Sequence, residues 1–320
     1  MNVFIEDPSY FLAVQMFKDY GLNMVSVATD PEGMSMASLE AEVKIAEEEA
    51  KLSKRKSAGG GPLTQLYDGL VFIVPTFGNP TGATLPDARR RRLVTLARRH
   101  NLLVLSDDVY QLLPFPGVTP PPRLVSCDLQ MGAGSGGKCH VLSNGSFSKL
   151  MGPGVRLGWL EGGTAITEQL LSSGVLASSG SMNHLASGVL AEALRSGAQD
   201  TILTRLRETY AGRCGALISA LRQALPPTAS VFTEPQGGFF TWLVLPPGVR
   251  AEAVLALTTA HEECPVSALP GNEFSPSQSC GSCLRMAFTF YSEERLAAAG
   301  AVIGQAVSKL AAKSSESKSD

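Results

Sequence analysis

The chain has 320 residues, 44% hydrophobic and 18% charged, with 27 Lys and Arg set against 29 Asp and Glu. This is the composition of an ordinary folded protein, long enough for one large and one small domain, and it excludes general disorder. A formal net charge of −2 gives no electrostatic case for nucleic acid or an anionic membrane as the main partner, and no apolar run is long enough to span a bilayer.

The opening residues, Met1–Asp7, meet acids at once and do not read as a signal peptide. Val3–Ile5 is a short strand, Glu6-Asp7-Pro8 a turn, and Ser9 the N-cap of a helix that reaches Tyr20 and stops at Gly21. Met24–Val27 is a second strand, Ser38–Lys51 an acidic helix, and the Gly-rich run 57–62 a flexible connector. Leu70–Val74 has the continuous apolar character of a buried strand, and a turn follows at Asn79-Pro80-Thr81-Gly82. A basic helix covers Pro86–His100, with Arg89–Arg92, Arg98, Arg99 and His100 expected on a solvated face rather than at a nucleic-acid site. Leu102–Ser106 is another buried strand and ends in Asp107-Asp108-Val109-Tyr110.

The Pro- and Gly-rich stretch Leu113–Cys139 reads as a long loop or surface insertion. Val141-Leu142 is strand-like, Ser146-Phe147-Ser148-Lys149 a turn, and Arg156–Leu160 a further strand. Helices fill Thr164–Ser173, Asn183–Arg195 and, at greater length, Asp200–Leu225. Strands alternating with helices argue for a mostly parallel sheet with helices on both faces. Ligands bind such sheets beyond the carboxyl ends of the strands, where the polar clusters after Val74, Ser106 and Leu142 fall. From Val231 the rhythm changes. Strand Phe239–Leu245, helix Ala251–Glu263, strand Leu284–Phe290 and a last helix after Ser292 make a smaller α+β unit. The fold class is therefore α/β, with domains expected over residues 1–200 and 201–312 and a disordered tail over 313–320.

Six cysteines in a chain of this length make no disulfide framework, which fits a reducing compartment. His261-x-x-Cys264 followed by Cys280-x-x-Cys283 has a zinc-like spacing. A single pattern match of this kind is weak, so the expectation is no metal, with Cys264 and Cys283 on strands.

Six motifs follow one another along nearly the whole chain: Glu6-Asp7-Pro8-Ser9-Tyr10; Asn79-Pro80-Thr81-Gly82; Asp107-Asp108-Val109-Tyr110; Ser146-Phe147-Ser148-Lys149 with Gly152-Pro153-Gly154-Val155-Arg156-Leu157-Gly158; Pro270-Gly271-Asn272-Glu273-Phe274; and Leu284-Arg285-Met286. In this order they resemble the fold-type-I, class I and II aminotransferases, which use pyridoxal 5'-phosphate (PLP). The nearest branch holds aminoadipate- and kynurenine-type transaminases and the effector domains of MocR-like regulators. The resemblance implies a PLP-transferase-like large domain in a cytoplasmic homodimer. It also implies transfer of an amino group between an L-amino acid and a 2-oxo acid through a Schiff base on Lys149.

Residue by residue, the resemblance gives Tyr10 to stacking on the cofactor ring and Asn79 and Tyr110 to its phenolic oxygen. Asp107 pairs with the pyridine nitrogen, although Asp108 is a rival for that role on sequence alone. Lys149 carries the proton, Ser146, Ser148 and Arg156 bind the phosphate, and Arg285, with Asn79, grips the substrate carboxylate. Lyase or decarboxylase chemistry on the same scaffold, or a non-catalytic binding module, are the alternatives. Relatives of this kind carry further sequence ahead of the Glu-Asp-Pro-Ser-Tyr segment, including a glycine-rich phosphate turn and part of the dimer contact. The chain is accordingly expected to be either a piece of a longer enzyme or a short form that binds PLP weakly.

Overall fold

Successive side chains of a strand point to opposite faces of a sheet, so an uninterrupted apolar run needs a covered surface on both sides. A computed structural model describes residues 1–52, 66–132, 138–179 and 183–316, and its larger sheet meets that requirement. The strands are β1 (Asn2–Asp7), β2 (Asn23–Asp30), β3 (Gly33–Met34), β4 (Gly69–Ile73), β5 (Leu102–Asp107), β6 (Val141–Ser146) and β7 (Gly158–Glu161), in the spatial order β3-β2-β1-β4-β5-β6-β7. β2, β1, β4, β5 and β6 run parallel, and β3 and β7 close the two edges antiparallel.

Phe4, Val71, Ile73, Val104 and Val141 face one layer, packed on Leu39, Val43, Leu93, Val94, Leu124 and Val125. Their strand neighbours Val3, Ile5, Leu70, Phe72 and Leu103 face the other, packed on Ala13, Val14 and Ile166. The predicted sheet with helices on both faces is therefore present. A second, antiparallel sheet follows in the order β10-β11-β9-β8: β8 (Ser230–Val231), β9 (Phe240–Val244), β10 (Leu269–Pro270) and β11 (Cys283–Ala287). It shares its core with the long helices Ala198–Ala224 and Glu293–Glu316. Those helices approach closely because Gly304 has no side chain: a Cβ there would lie 2.4 Å from that of Ala224.

Several local expectations change. Ser9 is not the helix N-cap. Its N–H donates to the Phe274 carbonyl at 2.8 Å, and the helix Phe11–Asp19 begins after Tyr10 without a side-chain cap. The stretch Leu113–Cys139 contains a helix, Leu124–Gln130, whose apolar residues Leu124, Val125 and Cys127 are buried against the sheet layer. Arg156 precedes β7 rather than starting it, because its φ of 49° is left-handed and ends extended pairing there. The last helix continues through Lys313 to Glu316, with Ser314 packed over Gly248, so the disordered tail does not begin at Lys313. The connector 57–62 and residues 317–320 lie outside the described residues.

Arg90 is the largest departure. It sits in the basic helix Asp87–Arg99, yet it is fully buried instead of solvated. Its guanidinium donates to the carbonyls of Leu85 (2.7 Å), Pro75 (2.8 Å) and Pro122 (3.2 Å) and to Thr76 Oγ1 (2.8 Å). The zinc-like spacing does not close into a centre: among the described residues no three His, Cys, Asp or Glu side chains gather as metal ligands. Cys264 lies in a bend, not on a strand. No described helix is long and apolar enough to cross a membrane.

Glu6, near the end of β1, is buried and accepts a hydrogen bond from the Val74 N–H at 3.0 Å. Burial pushes its carboxyl up to about 8, against the pull of the Val74 and Met34 N–H groups. The folded pKa lies above the unfolded one, so this contribution to stability is complete below the ordinary carboxylate range and is lost as pH rises through about 8. Glu6→Gln keeps the shape and cannot ionise. The Tm of the wild type should fall more steeply than that of the variant between about pH 5 and about pH 9; thermal melts across that window measure the difference, and equal slopes would contradict it.

Candidate active site

Parallel pairing places the carboxyl ends of β1, β4, β5 and β6 on one edge of the large sheet. The segments that leave those ends carry Tyr10, Asn79, Asp107 with Tyr110, and Ser146 with Lys149. All of them line one cavity of about 630 Å³, together with Ser148, Arg156 and Arg285. Every site residue expected from the sequence thus meets the same space.

Asp107 closes β5 and is paired in register with Asn144 on β6. Asn144 Nδ2 donates to Asp107 Oδ1 at 2.7 Å. Burial, with the nearby Asp108 charge adding to it, lifts the Asp107 carboxyl to about 6, while the Asn144 hydrogen bond and the Lys149 charge pull the other way. Asp108 points away from this space. It is buried and accepts from Ser106 Oγ at 3.0 Å and from Ser143 Oγ. Of the two carboxylates, Asp107 is the one that lines the cavity.

Lys149 ends a single 3-10 turn, Phe147–Lys149, at the end of β6. Ser146 caps that turn by accepting the Ser148 N–H at 3.1 Å. Burial and the Arg285 charge lower the Lys149 pKa, and Asp107 partly opposes them. Ser148 Oγ accepts from Arg156 Nη1 at 3.3 Å, and the same nitrogen reaches the Pro153 carbonyl at 3.0 Å. Ser146, Ser148 and Arg156 so form a hydroxyl and guanidinium cluster on the cavity wall.

Arg285, on β11 of the second sheet, completes the opposite wall. Its Nη1 donates to Asn79 Oδ1 at 3.0 Å, and Asn79 also neighbours the Tyr110 hydroxyl, whose pKa it pulls down. The guanidinium stacks 4.1 Å from the Phe240 ring centroid and 4.6 Å from that of Phe274. Burial lowers it to about 10, which leaves it charged at neutral pH. Its Nε is buried with no hydrogen-bond partner, a donor still able to take an anion. Burial pushes the Tyr110 hydroxyl well above the usual tyrosine range. The Tyr10 hydroxyl is raised by the same cause, and Asp107 adds to it.

Asn144, Phe239 and Phe240 are the site residues the sequence reading missed. Phe239 lies under Lys149, with Nζ 5.3 Å from its ring centroid. Asn144 was available from the two-residue period of β6, since it shares a face with Ser146. Asn144→Leu should raise the Asp107 midpoint above about 6, because the donor that favours the carboxylate is lost. Carboxyl titration of the free protein by infrared or carbon NMR reads this; an unchanged midpoint would rule out the Asn144 contribution.

The chain is similar to known proteins of one family. The family profile described as aminotransferase class I and II matches residues 1–302. An uncharacterized protein of Saccharomyces cerevisiae is 33% identical over 78% of this chain and 59% of its own length. Aromatic-amino-acid aminotransferase 1 of Thermococcus litoralis is 28% identical over 92% of this chain and 64% of its own length. Among solved structures, the α-aminoadipate aminotransferase LysN of Thermus thermophilus, complexed with N-(5'-phosphopyridoxyl)-L-leucine, superposes with a TM-score of 0.78 at 27% identity. That match covers 97% of this chain and 72% of the LysN chain. The chain therefore spans about three fifths of the length of the first two relatives.

Proposed function

The chain belongs to the class I and II aminotransferases, and on that premise we propose that it moves an amino group between an L-amino acid and a 2-oxo acid with PLP as cofactor. One observation carries the reading: an amine with a lowered pKa, Lys149, shares a cavity with a carboxylate, Asp107, and with an arginine that has a free donor, Arg285. The donor set fits the cofactor. Lys149, Arg156 and Arg285 outweigh Asp107 in charge on the cavity wall, as a site for a phosphate and a substrate carboxylate needs.

When bound, PLP supplies the carbonyl that takes up the amino group and the ring that accepts electrons. The residues do the rest. Asn144 fixes one oxygen of Asp107, and the carboxylate holds a proton on the pyridine nitrogen. Asn79 and Tyr110, neighbours on the cavity wall, would donate to the phenolic oxygen, and Tyr10 would pack on the ring. Ser146, Ser148 and Arg156 take the phosphate. Arg285, oriented by Asn79 and two aromatic faces, grips the substrate carboxylate. Lys149 would hold the cofactor, and its lowered pKa favours the neutral amine that could take or give a proton at the substrate Cα.

Leu171, Leu185, Val189 and Leu194 are all more than half exposed, and apolar surface of this sort supports assembly; we assign the working form as a cytoplasmic homodimer. Purified protein with saturating PLP should show an absorption band that borohydride fixes onto the Lys149 peptide. Lys149→Ala should lose the band and at least ~100-fold in turnover. With an amino acid added, pyridoxamine phosphate should accumulate. No band would overturn the reading for this chain, whereas release of ammonia with pyruvate, or of carbon dioxide, would assign a lyase or a decarboxylase.

The pH dependence follows from Asp107. Its cation-binding form is the carboxylate, so PLP affinity should fall as pH drops through about 6. In Asp107→Asn the affinity should be weak throughout, and that component of the pH profile should disappear. Fluorescence-quenching titrations at several pH values give both curves.

A further inference from the structure

We propose that Cys280 and Cys283 form a reversible dithiol–disulfide couple, with Cys280 as the attacking sulfur. The two thiols lie at the ends of a tight turn in which the Cys283 N–H donates to the Cys280 carbonyl at 3.1 Å. A turn of this kind holds its end Cα atoms within about 7 Å, inside or near the span that a disulfide bridges. The two thiols are also close enough to shift each other's acidity. Gly271 makes room for this packing, since a Cβ there would fall 2.3 Å from the Cys280 carbonyl oxygen and 2.8 Å from Cys283 Cβ.

The surroundings distinguish the two sulfurs. The neighbouring Cys283 thiol, with the Ser275 and Ser279 hydroxyls, draws the Cys280 thiol down to about 7. Ser279 Oγ lies 4.0 Å from its sulfur. Cys283 keeps its proton, because a neighbouring thiolate and burial both raise it. Neither cysteine is fully buried, and Ser277, Gln278 and Ser279 beside Cys280 are exposed, so a small molecule reaches the turn. Among the other cysteines Cys127 and Cys214 are buried, and burial raises both.

The co-reactant is a low-molecular-weight disulfide. The Cys280 thiolate attacks one of its sulfurs, forming a mixed disulfide and releasing one thiolate. Cys283 then gives up its proton and attacks the Cys280 sulfur, which closes the Cys280–Cys283 bond and releases the second thiolate. The protein loses two electrons and two protons, and the small disulfide becomes two thiols. A dithiol reductant reverses both steps. The couple sits at the start of β11, two residues before Arg285 and on the same strand face.

The experiment treats the reduced full chain with excess oxidised glutathione and maps the cysteine peptides by mass spectrometry. The wild type should lose two hydrogens within the peptide holding Cys280 and Cys283, with no lasting adduct, and recover them with dithiothreitol. Its rate should rise with pH to a plateau set by a midpoint near 7. Cys283→Ser should trap a stable glutathione adduct on Cys280. Cys280→Ser should react about tenfold more slowly at the remaining thiol. A lasting adduct on wild-type Cys280, no reaction at either cysteine, or Cys280→Ser reacting at the wild-type rate would each overturn the proposal. Thermal melts of both serine variants establish that they are folded.

Discussion

Parallel strand pairing is the constraint on which the site rests. Strands bonded in parallel all end on the same edge, and each must be left by a segment that either turns into a helix or crosses the rim. β1, β4, β5 and β6 obey this, and four short segments distant in sequence converge on one edge. The pairing also settles orientation. At the end of β5, one carboxylate must face the cavity and the next must face the packed layer, which is why Asp107 and Asp108 have unlike partners.

The second sheet contributes through a few side chains. Arg285 projects from β11 and meets Asn79 of the large sheet, while Phe240 of β9 and Phe274 stack on its guanidinium. Phe274 is in turn tied to the first strand's exit by the hydrogen bond from Ser9. The geometry of the cavity therefore depends on how the two sheets sit together, and a shift at that junction would move an arginine against a fixed asparagine. Asn79 serves both sides, since its oxygen accepts from Arg285 and it shares the cavity wall with Tyr110.

Much of this is legible in the sequence. Continuous apolar runs such as Leu70–Val74 mark strands buried on both faces, and the alternation with helices gives the parallel sheet. The motif at Lys149 reads as a turn because serines and glycines crowd it. What could not be read depends on contacts made far along the chain. Arg90 sits in a row of arginines that looks uniformly solvated, and its burial is decided by the carbonyls of Pro75, Leu85 and Pro122. The helix Leu124–Gln130 is hidden by the prolines ahead of it, and forms because the sheet offers its apolar side a surface. The period of β6 puts Asn144 on the Ser146 face, but its partner Asp107 emerges only when strand register sets the two side by side.

Arg90 also bears on how the protein can change over generations. A planar guanidinium spans acceptors on three separate segments, and a lysine ammonium offers no comparable fork. Two of those acceptors, Pro75 and Leu85, bracket the loop that presents Asn79. Arg91 and Arg92, its neighbours in the row, make exposed ion pairs with Asp87 and Glu40, and exchanges there cost little. Drift along this helix should thus be uneven, with one arginine held fast amid interchangeable ones, and that single position would guard a loop several turns of chain away.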